Sequence, residues 1–91
     1  MANLRRLKKE LALVLEIIVE ECFIVCDLYP EKTAEAEKLI SEAVALYKKS
    51  RSKHKKDASI SAKKFYTEVR NTYVENMFEI LKRIESLHEN K

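Results

Sequence analysis

The chain has 91 residues, a formal net charge of +3, no glycine and one proline. This length allows one small domain, and the lack of glycine argues against Gly-rich phosphate loops and tight β-hairpins. With 46% hydrophobic and 36% charged residues, the composition is typical of neither a disordered chain nor a membrane protein. We therefore expect a single helical domain spanning residues 1–91, for the reasons that follow in chain order.

The most apolar stretch, Leu11–Tyr29, is interrupted only by Glu16, Glu20, Glu21 and Asp27. It is about long enough to span a bilayer, but an acidic residue at the centre of a span costs ~2.5–3.5 kcal/mol to insert. The acids also fit poorly with a signal peptide. We therefore expect a cytoplasmic protein with no membrane span, in which the rest of the chain covers this segment.

Residues 3–28 form the first predicted helix, since their apolar residues recur at helical spacing. The main apolar seam contains Leu4, Leu7, Leu11, Val14, Ile18, Cys22, Val25 and Tyr29, and it is widened by Ala12, Leu15, Val19, Phe23 and Cys26. A second, smaller apolar row contains Leu13, Ile17 and Ile24. An amphipathic helix needs an apolar stripe only somewhat wider than 100°, so this helix should contact neighbours on two sides.

Pro30 separates the first helix from the second, which is predicted over about 31–54 with Thr33 as an alternative cap. The second helix has one apolar face, formed by Ala36, Leu39, Ile40, Ala43, Val44, Leu46 and Tyr47. After the polar segment 50–57, a third helix is predicted over about 58–88, capped by Asp57 or Ser59. Its core face contains Ala62, Tyr66, Val69, Tyr73, Met77, Ile80, Ile84 and Leu87, with Phe65 at one edge, and a second row contains Val74, Phe78 and Leu81.

Three long helices with short connections predict an all-α fold, an antiparallel up-down-up three-helix bundle. The outer rows of the first and third helices exceed what such a bundle needs to bury. We therefore expect self-association, or a helical protein partner, through Leu13, Ile17, Ile24, Val74, Phe78 and Leu81, and dimerisation would complete a larger bundle. The alternative is that splayed packing within one chain covers both rows.

Basic residues are concentrated in two parts of the chain that the up-down-up topology brings to one end. Residues 1–9 contain four basic residues and no acid, residues 10–47 nine acids and two bases, and residues 48–64 eight bases and one acid. We define the basic pole as Arg5, Arg6, Lys48, Lys49, Arg51, Lys53, Lys55, Lys56, Lys63 and Lys64. It is a candidate site for nucleic acid or another polyanion, and the alternative is a solvated surface that aids solubility.

The sequence offers little that predicts catalysis or cofactor binding. Cys22 and Cys26 lie one helical turn apart without the further ligands that a zinc site requires, and buried cysteine ordinarily acts as a small hydrophobe. The sequence Glu85-x-x-His88 occurs once, whereas di-iron helical bundles use this element twice. We predict no catalytic residue, no metal and no cofactor, and therefore no enzyme.

Arg83 and His88 form an R-x4-H spacing that resembles the motif of the helical nucleases called HEPN domains. In that family the arginine and the histidine act on RNA across a dimer interface, and the resemblance implies the same role for Arg83 and His88. The residue after the arginine here is Ile84, where the family usually carries a polar residue, so we assign no membership.

The sequence therefore favours a small non-enzymatic helical protein that mediates protein–protein interaction or self-association. The second interpretation is a nucleic-acid-binding accessory protein that uses the basic pole. Size, charge and helicity also match bacterial immunity or antitoxin-like bundles, which is an analogy of architecture.

Overall fold

The computed structural model describes residues 4–53 and 59–89, and in that part of the chain it has three α-helices and no strand. These are α1 (Leu4–Leu28), α2 (Thr33–Arg51) and α3 (Ala62–Glu89), with a 3-10 turn at Pro30–Lys32. Every pair of helices is in contact, in a body of 51 × 19 × 18 Å. The predicted all-α three-helix bundle is confirmed.

The break between α1 and α2 follows from Pro30. Tyr29, the residue before it, leaves helical geometry with φ −134° and ψ 75°. The predicted role of Thr33 as a helix cap is wrong, because its hydroxyl donates a hydrogen bond of 2.7 Å to the Pro30 carbonyl oxygen. The backbone N–H of Thr33 donates to the same carbonyl oxygen at the end of the 3-10 turn, and α2 begins without a side-chain cap.

The end of α2 and the start of α3 differ from their predicted positions. Helix α2 ends at Arg51 rather than at residue 54, and α3 begins at Ala62 rather than at residue 58. The backbone N–H of Lys64 donates to Ser61 Oγ at 3.1 Å, the geometry of an N-terminal cap that satisfies a first-turn donor. Serine side chains compete in this way with continued helix, which explains the later start. Asp57, one of the predicted caps, lies outside the described residues.

Hydrogen bonds between helices fix their directions. The Tyr73 hydroxyl donates to the Leu11 carbonyl oxygen at 2.8 Å, and the Tyr29 hydroxyl donates to the His88 carbonyl oxygen at 3.3 Å. Both bonds join residues about sixty positions apart, so α1 and α3 run parallel, with α2 antiparallel to both. Burial raises the pKa of the Tyr73 hydroxyl well above its usual range.

The core confirms most of the predicted seam. It is formed by Leu7, Leu11, Ile18, Cys22, Val25, Ala36, Leu39, Ala43, Val69, Tyr73, Met77, Ile80 and Ile84. Two predicted core positions are wrong, because Phe23 is 58% exposed and Ala62 is exposed. Phe23 lies beside the exposed acidic residues Glu16 and Glu20 of α1, on a side of the helix that the other helices leave exposed, and Ala62 is the first residue of α3. No helix in the described ranges has the length and apolarity needed to cross a bilayer.

Candidate interaction surface

Five of the six side chains in the two outer rows are exposed. Leu13, Ile17 and Ile24 of α1 and Val74 and Phe78 of α3 have exposed fractions between 42% and 58%. Packing within the chain therefore does not cover these five side chains. The sixth, Leu81, is partly buried against the core. We call these six residues the α1–α3 face.

The two rows lie side by side. Leu13 and Val74 line one groove of about 250 Å³ between α1 and α3, together with Leu11, Val14 and Tyr73. Because α1 and α3 run parallel, the next turn of each helix places the following members of the two rows beside each other. The α1–α3 face is therefore one strip across two helices, on the side of the bundle that α2 leaves uncovered.

The exposed apolar surface includes residues that the sequence interpretation missed. Leu28 is 61% exposed and follows Ile24 by four residues, so it extends the α1 row by one turn. The four-residue spacing from Ile24 could have identified Leu28 as a member of this row from the sequence. Phe23 is also exposed, but it lies on the other side of the acidic stripe formed by Glu16 and Glu20, and it does not belong to the α1–α3 face.

The α1–α3 face has charged residues of opposite sign at its two ends. Three exposed basic residues, Arg6, Lys63 and Arg70, lie at the end where α1 and α3 begin, which we call the basic end. Glu10 lies between two of these, 3.5 Å from Arg6 and 3.9 Å from Arg70. Two exposed acidic residues, Asp27 and Glu85, lie at the far end, which we call the acidic end. Lys82 lies near this end, 3.5 Å from Glu79 and with Nζ 5.7 Å from the ring centroid of Phe78.

The turn between α1 and α2 holds the last turn of α3. Carbonyl oxygens at a helix C-terminus lack intrahelical partners. Here Lys32 Nζ donates to the Leu87 carbonyl oxygen and the Tyr29 hydroxyl donates to that of His88. The rings of Tyr29 and His88 also meet edge to face, with centroids 5.8 Å apart. These contacts fix α3 against α1, so the two rows keep one relative position.

The structure describes eight residues of the predicted basic pole. Seven are exposed: Arg5, Arg6, Lys48, Lys49, Arg51, Lys63 and Lys64. Lys53 is partly buried and lines a groove with Phe65, Glu68, Val69 and Thr72, so the end of α2 adjoins the start of α3. Lys55 and Lys56 lie outside the described residues.

Arg83 and His88 contact different parts of the chain. The Arg83 guanidinium donates two hydrogen bonds of 2.8 Å to the Glu42 carboxylate on α2, whereas the His88 ring packs on Tyr29. The hydrogen bond with Arg83 lowers the pKa of Glu42 and raises that of the guanidinium. The R-x4-H spacing therefore does not produce a shared site within one chain.

Cys22 and Cys26 are free thiols, buried and partly buried respectively. Burial, followed by the neighbouring Cys26 and Glu21, raises the pKa of the Cys22 thiol to about 11. A thiol with a raised pKa is a weak nucleophile and a weak metal ligand at neutral pH. Among the described residues, no group of three or more histidine, cysteine or acidic side chains has an arrangement that could hold a metal ion.

No protein-family model, curated protein or solved structure matches this chain.

Proposed function

We propose that this chain is a small, non-enzymatic helical protein that associates with itself through the α1–α3 face. The observation that carries the proposal is the exposure of five large apolar side chains in one strip across two helices. Fully burying such a side chain contributes ~1.5–3 kcal/mol. Because these side chains are about half exposed, an interface that covered them would add about half of that free energy for each. Contiguous exposed apolar surface of this kind often marks an interaction site.

Substitution of one apolar residue in the strip by glutamate tests the proposal. In Ile17→Glu and Phe78→Glu, association would bury a charge, so we expect the assembly to dissociate at concentrations where the unchanged chain is associated. Light scattering gives the mass, and circular dichroism gives the helical content, which we expect to survive because both residues are exposed. Ala45→Glu, on the exposed side of α2, is the matched control and keeps the assembly.

Two results would contradict self-association. One is a monomeric mass for the unchanged chain at concentrations well above micromolar. The other is loss of helical content in both glutamate variants while Ala45→Glu remains folded, since that outcome would make the strip part of the core of one chain.

A second candidate function is binding of nucleic acid or another polyanion at the basic pole. Exposed lysine and arginine side chains from the end of α2 and the starts of α1 and α3 favour it. The basic residues in the first turns of α1 and α3 oppose the helix dipole, so helix stability does not account for them. The aromatic residues nearest in sequence, Tyr47, Phe65 and Tyr66, are partly buried against the core, so base stacking is disfavoured and contacts to phosphates are favoured.

Fluorescence anisotropy with labelled single- and double-stranded RNA and DNA tests the second candidate. We expect binding that weakens steeply with salt, by about 0.9 in log K per log salt for each phosphate contacted in duplex DNA. Lys63→Glu/Lys64→Glu is expected to abolish it, while Lys38→Glu/Lys82→Glu, with the same net charge, retains it. An absence of binding even at low salt would leave the basic pole as solubilising charge.

A further inference from the structure

The apolar strip is too small to form a stable interface alone. From Leu13 to Ile24 it is about 16 Å long at 1.5 Å per residue, and the bundle is 19 Å wide. These dimensions give roughly 300 Å², whereas a standard interface buries about 800 Å² on each partner. A partner that covers the strip must therefore also cover the basic end and the acidic end, and the charges there determine which partner fits.

A second copy of the chain can meet this face about a two-fold axis in two ways. If the axis runs along the helices, α1 packs on α3 of the other copy, and like ends meet, basic on basic and acidic on acidic. If the axis crosses the helices within the interface, α1 packs on α1 and α3 on α3, antiparallel, and each basic end meets an acidic end. Opposed like charges cost free energy and suppress an arrangement, while opposite charges favour it.

The spacing of residues along α3 fits the antiparallel arrangement. Val74 and Leu81 are placed symmetrically about the peptide bond that precedes Phe78, and so are Arg70 and Glu85. Antiparallel packing of α3 on α3 about that point brings Val74 against Leu81 and Arg70 against Glu85 of the other copy. Phe78 then lies next to the two-fold axis. One register therefore satisfies the apolar and the charged residues together.

The same axis also suits α1. The hydrogen bonds of Tyr73 with Leu11 and of Tyr29 with His88 together set the register of the two helices, so the centre of the α3 row is level with the turn of α1 around Ile17. The groove that Leu13 lines with Val74 then lies opposite Leu81 of the second copy. That groove is open and mainly apolar, as a surface that receives apolar side chains must be.

We propose that the partner of the α1–α3 face is a second copy of this chain, packed antiparallel about a two-fold axis beside Ile17 and Phe78. The proposal rests on the self-association proposed above and adds its orientation and register. It gives an isologous dimer of six helices, in which the basic end of each copy contacts the acidic end of the other.

Disulfide crosslinking tests the orientation, in a Cys26→Ala background that keeps the buried Cys22. A disulfide needs Cα atoms about 4.4–6.8 Å apart. Phe78→Cys next to the axis is expected to give crosslinked dimers on oxidation. Val74→Cys is the matched control, because it lies about 10 Å along the helix from its own copy in this register and stays uncrosslinked. A mixture of Val74→Cys with Leu13→Cys reports the parallel arrangement, in which these two positions face each other, and it is expected to stay uncrosslinked.

The outcomes separate the two proposals. A monomeric mass by light scattering overturns both self-association and its orientation. A dimeric mass with crosslinks in the Val74→Cys and Leu13→Cys mixture, but none in Phe78→Cys, overturns the antiparallel arrangement alone. A dimeric mass with no crosslink in any of these variants also overturns the register, because the dimer then uses another surface.

Discussion

At the scale of single residues, two titratable side chains, those of Tyr73 and Cys22, are buried in the core. Tyr73 is fully buried and places its hydroxyl on the Leu11 carbonyl oxygen of α1. Cys22 is equally buried. Burial raises the pKa of both groups, because a charged form would have to be accommodated without solvent. Deprotonation of either group therefore costs free energy in the folded chain and lowers its stability at alkaline pH.

This leads to a prediction for alkaline pH. In the unfolded chain a thiol titrates near pH 8.5, whereas burial raises the pKa of Cys22 to about 11 in the folded chain. Stability is thus fully present below about pH 8.5 and is lost as the pH rises through 11, since only the unfolded chain releases the proton in between. Between pH 8 and pH 10 we expect a loss of about 1–2 kcal/mol, measured by urea denaturation at fixed chain concentration.

Two variants isolate the contribution of Cys22. Cys22→Ala is expected to lose less stability over this pH range, whatever its stability at pH 8. Cys26→Ala, one turn away, keeps most of the loss because Cys22 remains. An equal loss in Cys22→Ala and in the unchanged chain would show that other groups cause the pH dependence.

At the scale of helices, spacing within one helix was a reliable guide, but contacts between helices were beyond it. The period of apolar residues predicted three helices and most of the buried positions, because burial of one face depends on angle around a single axis. The same angle placed Phe23 in the core, since its position is close to that of the buried residues. Only the location of α2 and α3 decides that nothing covers it.

The ends of the helices were predicted less well than their middles, for a related reason. The Ser61 hydroxyl caps α3, whereas the Thr33 hydroxyl donates back to the Pro30 carbonyl oxygen, and both outcomes depend on which local hydrogen bond a hydroxyl makes. Several serines stand before α3, and spacing does not distinguish among them. The pair formed by Arg83 and Glu42 joins α3 to α2 and depends on the relative rotation of two helices, which a sequence pattern does not contain.

At the scale of the whole molecule, the exposure of the outer rows could be predicted, because five of their six side chains exceed what the bundle buries. Helices α1 and α3 carry more apolar residues than a three-helix bundle buries, and an excess is visible from counts around each helix. The distribution of charge along the α1–α3 face was not visible in that way. It needed the parallel packing of α1 on α3, which brings Arg6 and Arg70 to one end and Asp27 and Glu85 to the other.

The last prediction uses those charges. In the antiparallel dimer, Arg70 of each copy faces Glu85 of the other, so a two-fold axis makes this contact twice. Arg70→Glu and Glu85→Arg each place like charges in both contacts. Exposed charge pairs contribute about 0.2–1 kcal/mol each, so we expect the loss of both contacts in either variant to raise the Kd of the dimer by roughly 2- to 30-fold.

The double variant Arg70→Glu/Glu85→Arg exchanges the two charges, and we expect it to restore the affinity of the unchanged chain. Sedimentation equilibrium at low salt and at 1 M salt measures the Kd, and the differences should shrink at 1 M, where the Debye length is about 3 Å. Lys38→Glu, on the exposed side of α2, is the control for net charge and leaves the Kd within about twofold. A tighter dimer in Arg70→Glu alone would contradict the antiparallel arrangement. Only parallel packing brings two basic ends together, and reversing the charge of Arg70 would then reduce their repulsion and lower the Kd.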